Sequence, residues 1–172
     1  MNTMNYFELY NIPVSFKPDA QTVKKKFYEL SRQFHPDFFT NATEDEQQNA
    51  LEKAAMVNKA FKIFSHEDEV LKYILQLKNL IEEEEKYQLS SGFLMDVMDL
   101  NEQLMEAKME ENKLLISNLK SQISNFQSQI YEPVKSIIEN YKENISTEEE
   151  LLQVKDYYFK KKYLNRILAG LN

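Results

Sequence analysis

Asp19-Ala20-Gln21-Thr22-Val23-Lys24-Lys25-Lys26-Phe27-Tyr28-Glu29-Leu30-Ser31-Arg32-Gln33-Phe34-His35-Pro36-Asp37 is the stretch that decides the fold. Val23, Phe27, Leu30 and Phe34 recur at i, i+4, i+7 and i+11, the spacing of a single helical face. Asp19 stands where an N-cap is wanted, since its carboxylate can accept from the free N–H groups of a first helical turn. At about 100° per residue, Lys25, Tyr28 and Arg32 fall opposite the apolar stripe, and Lys24 and Lys26 flank them. Pro36 biases His35 out of the α region and ends the helix. The stretch predicts a helix with one apolar and one basic side, running into His35-Pro36-Asp37.

On the N-terminal side, Pro13 and Pro18 bracket a loop after Tyr6-Phe7-Glu8-Leu9-Tyr10. On the other side, Thr43-Glu44-Asp45-Glu46 fits a capping box, in which Thr and Glu side chains each bond the other residue's backbone N–H. The helix it starts carries Ala50, Ala54, Val57, Phe61 and Phe64 on one face. Small residues at 50 and 54 facing large ones at 27 and 34 predict two antiparallel helices in close contact, with His-Pro-Asp exposed at the tip. His66, just past this helix, is placed to interact with helix carbonyls and is assigned no function.

Composition narrows the function classes. The 172 residues contain no Cys, no Trp, 2 Gly, 4 Pro and 2 His, with a net charge of −7. Without cysteine there is no disulfide, thiolate zinc site or cysteine-held cluster, and His35 and His66 do not make a histidine-rich metal site. Gly92 and Gly170 stand alone, so no glycine-rich loop cradles a phosphate. No run of 18 apolar residues suggests a membrane span, and Met1 to Tyr10 has no basic or Arg-rich leader pattern. The expectation is a nearly all-helical cytoplasmic protein with no cofactor or metal, not an enzyme. The acidic balance argues against bulk nucleic-acid binding.

Charge is uneven along the chain. Residues 1–80 are nearly neutral at −1, residues 81–112 carry −8, and residues 113–172 carry +2. Glu82-Glu83-Glu84-Glu85 repel one another and favour a solvated linker or a helix end. Hence the expected organisation is one domain over 1–78, a boundary over 79–90 and a three-helix bundle over 91–172. From Phe93 onward, Phe93, Val97, Leu100 and Leu104 make an ordinary core stripe, whereas Leu94, Met95, Met98 and Met105 make a second apolar arc bordered by Asp99 and Glu102. That arc is either covered by another part of the molecule or is an exposed binding patch. Methionine is adaptable at such surfaces.

Leu115, Leu119, Ile123, Phe126 and Ile130 keep helical spacing, as do Val134, Ile137, Ile138 and Tyr141, and Pro133 should interrupt the two runs. Thr147-Glu148-Glu149-Glu150 is a second capping box. It starts a helix whose core stripe is Val154, Tyr157, Leu164, Leu168 and Leu171, while Leu152, Phe159 and Tyr163 lie off it. Lys155, Lys160, Lys161, Lys162 and Arg166 make this helix basic, which is either a solvated face, the simpler reading, or a complement to the acidic 81–112 segment.

The basic helix, Gln33-Phe34-His35-Pro36-Asp37 and Val57-Asn58-Lys59-Ala60-Phe61 together resemble a J-domain. With Phe93-Leu94-Met95-Asp96-Val97-Met98-Asp99-Leu100-Asn101-Glu102-Gln103-Leu104, the whole chain resembles the HscB/Jac-type J-domain co-chaperones of iron–sulfur cluster assembly. The resemblance implies an N-terminal J-domain, an antiparallel hairpin with accessory helices, followed by the helical bundle. It implies a DnaK/HscA-type ATPase chaperone as partner, bound by His35, Pro36, Asp37, Lys24, Lys25, Lys26, Tyr28 and Arg32. It further implies that Leu94, Met95, Met98, Asp99, Glu102 and Phe159 bind the scaffold protein on which clusters are assembled. Three departures stand out: Phe38 replaces the lysine that often follows His-Pro-Asp, Val70 to Leu75 lacks a usual arginine, and Met98 stands where leucine is common. Other classes consistent with the residues are an adaptor for a different client, a structural helical oligomer, and an enzyme using His35 and Asp37. The last has no nucleophile or second base at recognisable spacing.

Overall fold

The computed structural model describes residues 4–170, all of whose regular elements are helical; Leu171 of the predicted core stripe lies outside them. The helices are α1 (Tyr6–Tyr10), α2 (Ala20–Gln33), α3 (Glu44–Phe64), α4 (Glu67–Leu77), α5 (Ser91–Met109), α6 (Lys113–Tyr131), α7 (Lys135–Glu139) and α8 (Glu148–Ala169). The chain divides into two compact units between Ile74 and Leu75, inside α4.

In the first unit, Asp19 caps α2 by accepting from Thr22 N–H at 2.8 Å, and Thr43 with Glu46 closes the capping box of α3. The Thr22 hydroxyl and N–H hold the Asp19 carboxyl below its usual range, and the Thr43 N–H and hydroxyl do the same for Glu46. Phe27 stacks on Phe61 at 4.2 Å, Val23 and Ala50 are buried, and Lys53 lies over the Phe34 ring, so α2 and α3 form the antiparallel hairpin that the stripes predict. The small helix α1 seats on this hairpin and on α4. Its own capping box joins Asn5 and Glu8, and Asn11 ends it in the left-handed region at φ 48°. Tyr6 stacks on Tyr73, Phe7 meets Phe64, and the fully buried Tyr10 donates its hydroxyl to the Val57 carbonyl at 2.8 Å. Burial also raises the Tyr10 phenol's pKa well above its ordinary value.

Tyr10→Phe keeps the ring and deletes only that donor. A loss of about 1 kcal/mol is expected, read as a lower midpoint in urea unfolding followed by circular dichroism. An unchanged midpoint would mean that the hydroxyl bond contributes nothing to holding α1 on α3.

In the second unit, Phe93, Val97, Leu104 and Ala107 of α5 pack with Leu119 and Ile123 of α6 and Leu164 and Ile167 of α8. Phe93 sits between Phe126 and Tyr163, so three helices share one aromatic joint. Pro133 interrupts the middle helix as expected: α6 stops at Tyr131, a 3-10 turn spans Glu132–Val134, and α7 resumes at Lys135. Thr147 and Glu150 form the capping box of α8.

The acidic run behaves differently from a free tether. Glu84 takes a left-handed φ of 61°, and Glu82 N–H donates to the Glu85 carboxylate at 3.2 Å. Its last member, Glu85, pairs with Lys155 at 2.6 Å, and beyond the run Tyr87 lies flat on Phe159 with ring centres 4.5 Å apart and planes 6° apart. Repulsion among four glutamates says nothing about the tyrosine two residues later, and it is that ring which straps the segment onto α8.

Candidate functional site

Two surfaces carry the residues singled out from the sequence, one on each unit. The first is the tip between α2 and α3. Phe34 closes α2, His35 is extended at φ −65° and ψ 129°, and Pro36–Phe39 forms a 3-10 turn. Proline suits the first position of such a turn, where an N–H would lack a partner. His35 caps the turn: its Nδ1 accepts from the Asp37 N–H at 3.3 Å, and its carbonyl accepts from the Phe38 N–H at 3.0 Å. The His35 N–H in turn donates to the Arg32 carbonyl at 3.3 Å, which ties the tip to the end of the basic helix.

Nothing covers the tip among the described residues. The His35 and Asp37 side chains are 54% and 84% exposed, with Nδ1 3.6 Å from an Asp37 carboxylate oxygen. Asp37 therefore presents acceptor oxygens to solvent, suited to charge-assisted bonds with a guanidinium. Lys24, Lys25, Tyr28 and Arg32 are exposed along α2. Lys26 is only half-exposed and pairs with Glu29 at 3.3 Å, which reduces its share of the positive field. Phe38 is a tip residue that the sequence marked only as a departure. Its ring is exposed and edge-on to His35 at 6.1 Å, so the tip offers an apolar contact where a lysine is common.

The second surface is the outward side of α5. Leu94, Met95, Met98, Asp99 and Glu102 are all exposed, so the second apolar arc is not covered by the unit that carries it. Phe93 contacts Tyr163, and Lys160 lies 5.7 Å over the Phe93 ring, which brings the start of α5 beside the stretch of α8 that carries Phe159. Phe159 itself is half-buried, with one face against Tyr87 and its edge near Tyr158. Tyr87 is thus a neighbour of the candidate surface that periodicity could not find, because it lies in no helix.

Its surroundings are tightly specified. The Tyr87 hydroxyl donates to Asp156 at 3.0 Å, and the Lys155 ammonium sits 5.5 Å above the ring. Burial first, then the bond to Asp156 and the charges of Asp156 and Glu85, leaves the phenol pushed up to about 12. The folded form holds that proton more tightly than the unfolded chain does, so the associated stability is intact below about pH 10 and is lost as pH rises towards 12. Wild type and Tyr87→Phe should therefore converge in urea midpoint between pH 9 and pH 11.5. A gap of constant size across that range would contradict a half-buried, neutral Tyr87.

The chain matches the family model described as the HSCB C-terminal oligomerisation domain over residues 89–172. It is 36% identical over 102 residues to a co-chaperone protein HscB homolog of Vibrio parahaemolyticus, a match spanning 59% of this chain and 60% of that one. Against the co-chaperone protein HscB homolog of Photobacterium profundum it is 30% identical over 156 residues, covering 90% of this chain and 83% of the relative. The chain belongs to the HscB co-chaperone family.

The Vibrio match covers under two thirds of that relative's length, whereas the Photobacterium match extends across both units. Among solved structures, human co-chaperone protein HscB superimposes with a TM-score of 0.79 at 25% identity, covering 99% of this chain and 82% of the human one. Chaperone HscB from Vibrio cholerae gives 0.74 at 24% identity, covering 98% and 95%. The HscB fold, a J-domain and a C-terminal helical domain, is therefore the fold of this chain. No helix among the described residues is long and apolar enough to cross a membrane.

Proposed function

We propose that this HscB-family protein stimulates ATP hydrolysis by a DnaK/HscA-type chaperone in the cytoplasm and delivers the iron–sulfur cluster scaffold protein to it, assisting cluster maturation or transfer. The observation that carries the reading is a pair of exposed surfaces in one chain. A His-Pro-Asp tip ends a basic helix in one compact unit, and an apolar, acid-bordered helix face lies in the other.

In this reading residues 1–78 act as the J-domain, 79–90 connect, and 91–172 hold the client. Lys24, Lys25, Lys26 and Arg32 steer the tip towards an acidic patch on the chaperone, an effect that salt weakens. Tyr28 adds an exposed ring beside them, while His35, Pro36 and Asp37 make the contact that alters the chaperone's ATPase rate. The hydrolysis is the chaperone's own chemistry; this chain contributes binding and no catalytic group. Leu94, Met95, Met98 and Phe159 supply apolar contact to the scaffold, and Asp99 and Glu102 orient it through charge.

Binding to the purified scaffold protein and to a permanently unfolded protein, measured side by side, tests the client assignment. Saturable binding to the folded scaffold with little affinity for the unfolded chain is expected. The reverse preference would make the protein an adaptor for other clients.

A further inference from the structure

The basic residues of α8 divide into those that have a partner and those that do not. Lys155 pairs with Glu85, Lys160 with Asp156 of its own helix, and Lys161 lies over the Tyr157 ring. Lys162 and Arg166 are exposed and make no ion pair among the described residues, and the same holds for Lys86 beside Tyr87. These three cations line one hollow of about 300 Å³ between the strap and α8. The half-buried Leu89, Phe159 and Tyr163 line it too. Leu89 and Tyr163 pack against the bundle core, so this apolar floor is held by the fold. The strap wall is held as well, by Tyr87 stacked on Phe159 and bonded through its hydroxyl to Asp156.

Charge says what the hollow takes. Glu85, the acid among its lining residues, is already paired with Lys155 at 2.6 Å. Lys162 and Arg166 stand four apart on α8, where like charges oppose each other, and the strap brings a third positive charge to them. In a chain of net charge −7 this is a local positive field, and it gains by taking up negative charge. A free phosphate would use the cations and leave the apolar floor unused. An acidic segment with an apolar side chain uses both, its carboxylates making charge-assisted bonds to the ammonium and guanidinium groups. Recognition of acidic motifs by clustered cations is a recurring mode of peptide binding, and a hollow of this size has room for a side chain or two.

We infer that the hollow between the strap and α8 receives an acidic segment of a partner protein. A leucine-like side chain seats on Leu89, Phe159 and Tyr163, and flanking carboxylates bond Lys86, Lys162 and Arg166. This contact is separate from client docking on α5. Asp99 and Glu102 there call for cations on the partner, whereas this hollow calls for anions, so either contact can fail alone.

The test uses the full chain with isotope-labelled tyrosine rings and a short capped peptide with glutamates on both sides of one leucine. The comparison probes are the same peptide with lysine for glutamate, the same peptide with serine for leucine, and inorganic tripolyphosphate. By calorimetry the acidic leucine peptide should bind saturably, and more weakly as salt rises. It should shift the Tyr163 and Tyr87 ring signals and leave Tyr28 on α2 still. Lys162→Glu/Arg166→Glu should weaken it by at least about tenfold, and Lys86→Gln should weaken it too. Lys113→Glu/Lys135→Glu makes the same change of net charge elsewhere in the unit and should leave the affinity unchanged, and a thermal melt of each variant checks its fold. No binding, equal binding of the lysine peptide, or full affinity in folded Lys162→Glu/Arg166→Glu overturns the proposal. So does a peptide that shifts Tyr28 in place of Tyr163, which would mean that the basic side of α2 captures it. Serine peptide or tripolyphosphate binding as tightly as the leucine peptide also overturns it, because the hollow would then be a bare anion site.

Discussion

His35→Gln should abolish stimulation of the chaperone's ATPase, returning the rate to that of the chaperone alone, while leaving the fold unchanged. The two halves of this expectation have separate physical grounds. His35 is exposed, and its side chain makes one hydrogen bond, to the Asp37 N–H at 3.3 Å, which caps a four-residue turn. Glutamine also carries an acceptor, and the cost of losing a cap of this kind is typically about 1 kcal/mol. The α2–α3 hairpin is held elsewhere, by Phe27 on Phe61 and by buried Val23 and Ala50. What glutamine cannot reproduce is the flat ring between Asp37 and Phe38, which presents a nitrogen donor and an aromatic face to a partner. The check is a single-turnover ATPase rate beside a thermal melt. A mutant that stimulates as well as wild type would remove the tip from the mechanism.

Leu94→Ser/Met95→Ser/Phe159→Ala should weaken scaffold binding by more than about a hundredfold, the loss expected when three apolar anchors at roughly 1–2 kcal/mol each are removed from a docking centre. Leu94 and Met95 are exposed, so their replacement leaves the bundle core of Phe93, Val97 and Leu104 intact. Phe159 is different, because it stacks on Tyr87 and its truncation also loosens the strap. The double variant Leu94→Ser/Met95→Ser separates the two effects: it should lose binding by at least tenfold with an unchanged melt. Titration calorimetry with the purified scaffold reads both, and full affinity in the double variant would contradict a client face on α5.

The parts of this molecule that were legible in the sequence are those governed by short-range rules. Asp19, Thr43 and Thr147 cap the helices their spacing announces, Pro133 breaks the helix it sits in, and the excess of apolar residues on Phe93–Met105 does emerge at the surface. Helices α1 and α4 were harder to read. Five residues are too short to show a period, and α1 owes its place to aromatic contacts with Tyr73 and Phe64, more than 50 residues away. Tyr158 was likewise missed, buried in α8 beside a stripe read through Tyr157. The strap of Tyr87 on Phe159 had no signal at all, since a ring in an irregular segment finds its partner only in three dimensions.

The central claim is that one chain couples a chaperone's ATPase to a folded client. The most direct measurement is the single-turnover ATPase rate of a DnaK/HscA-type chaperone with this protein, with the scaffold, and with both. The account predicts stimulation by both together well beyond the product of their separate effects, and its disappearance in His35→Gln. Stimulation that ignores the scaffold, or its persistence without His35, would contradict it.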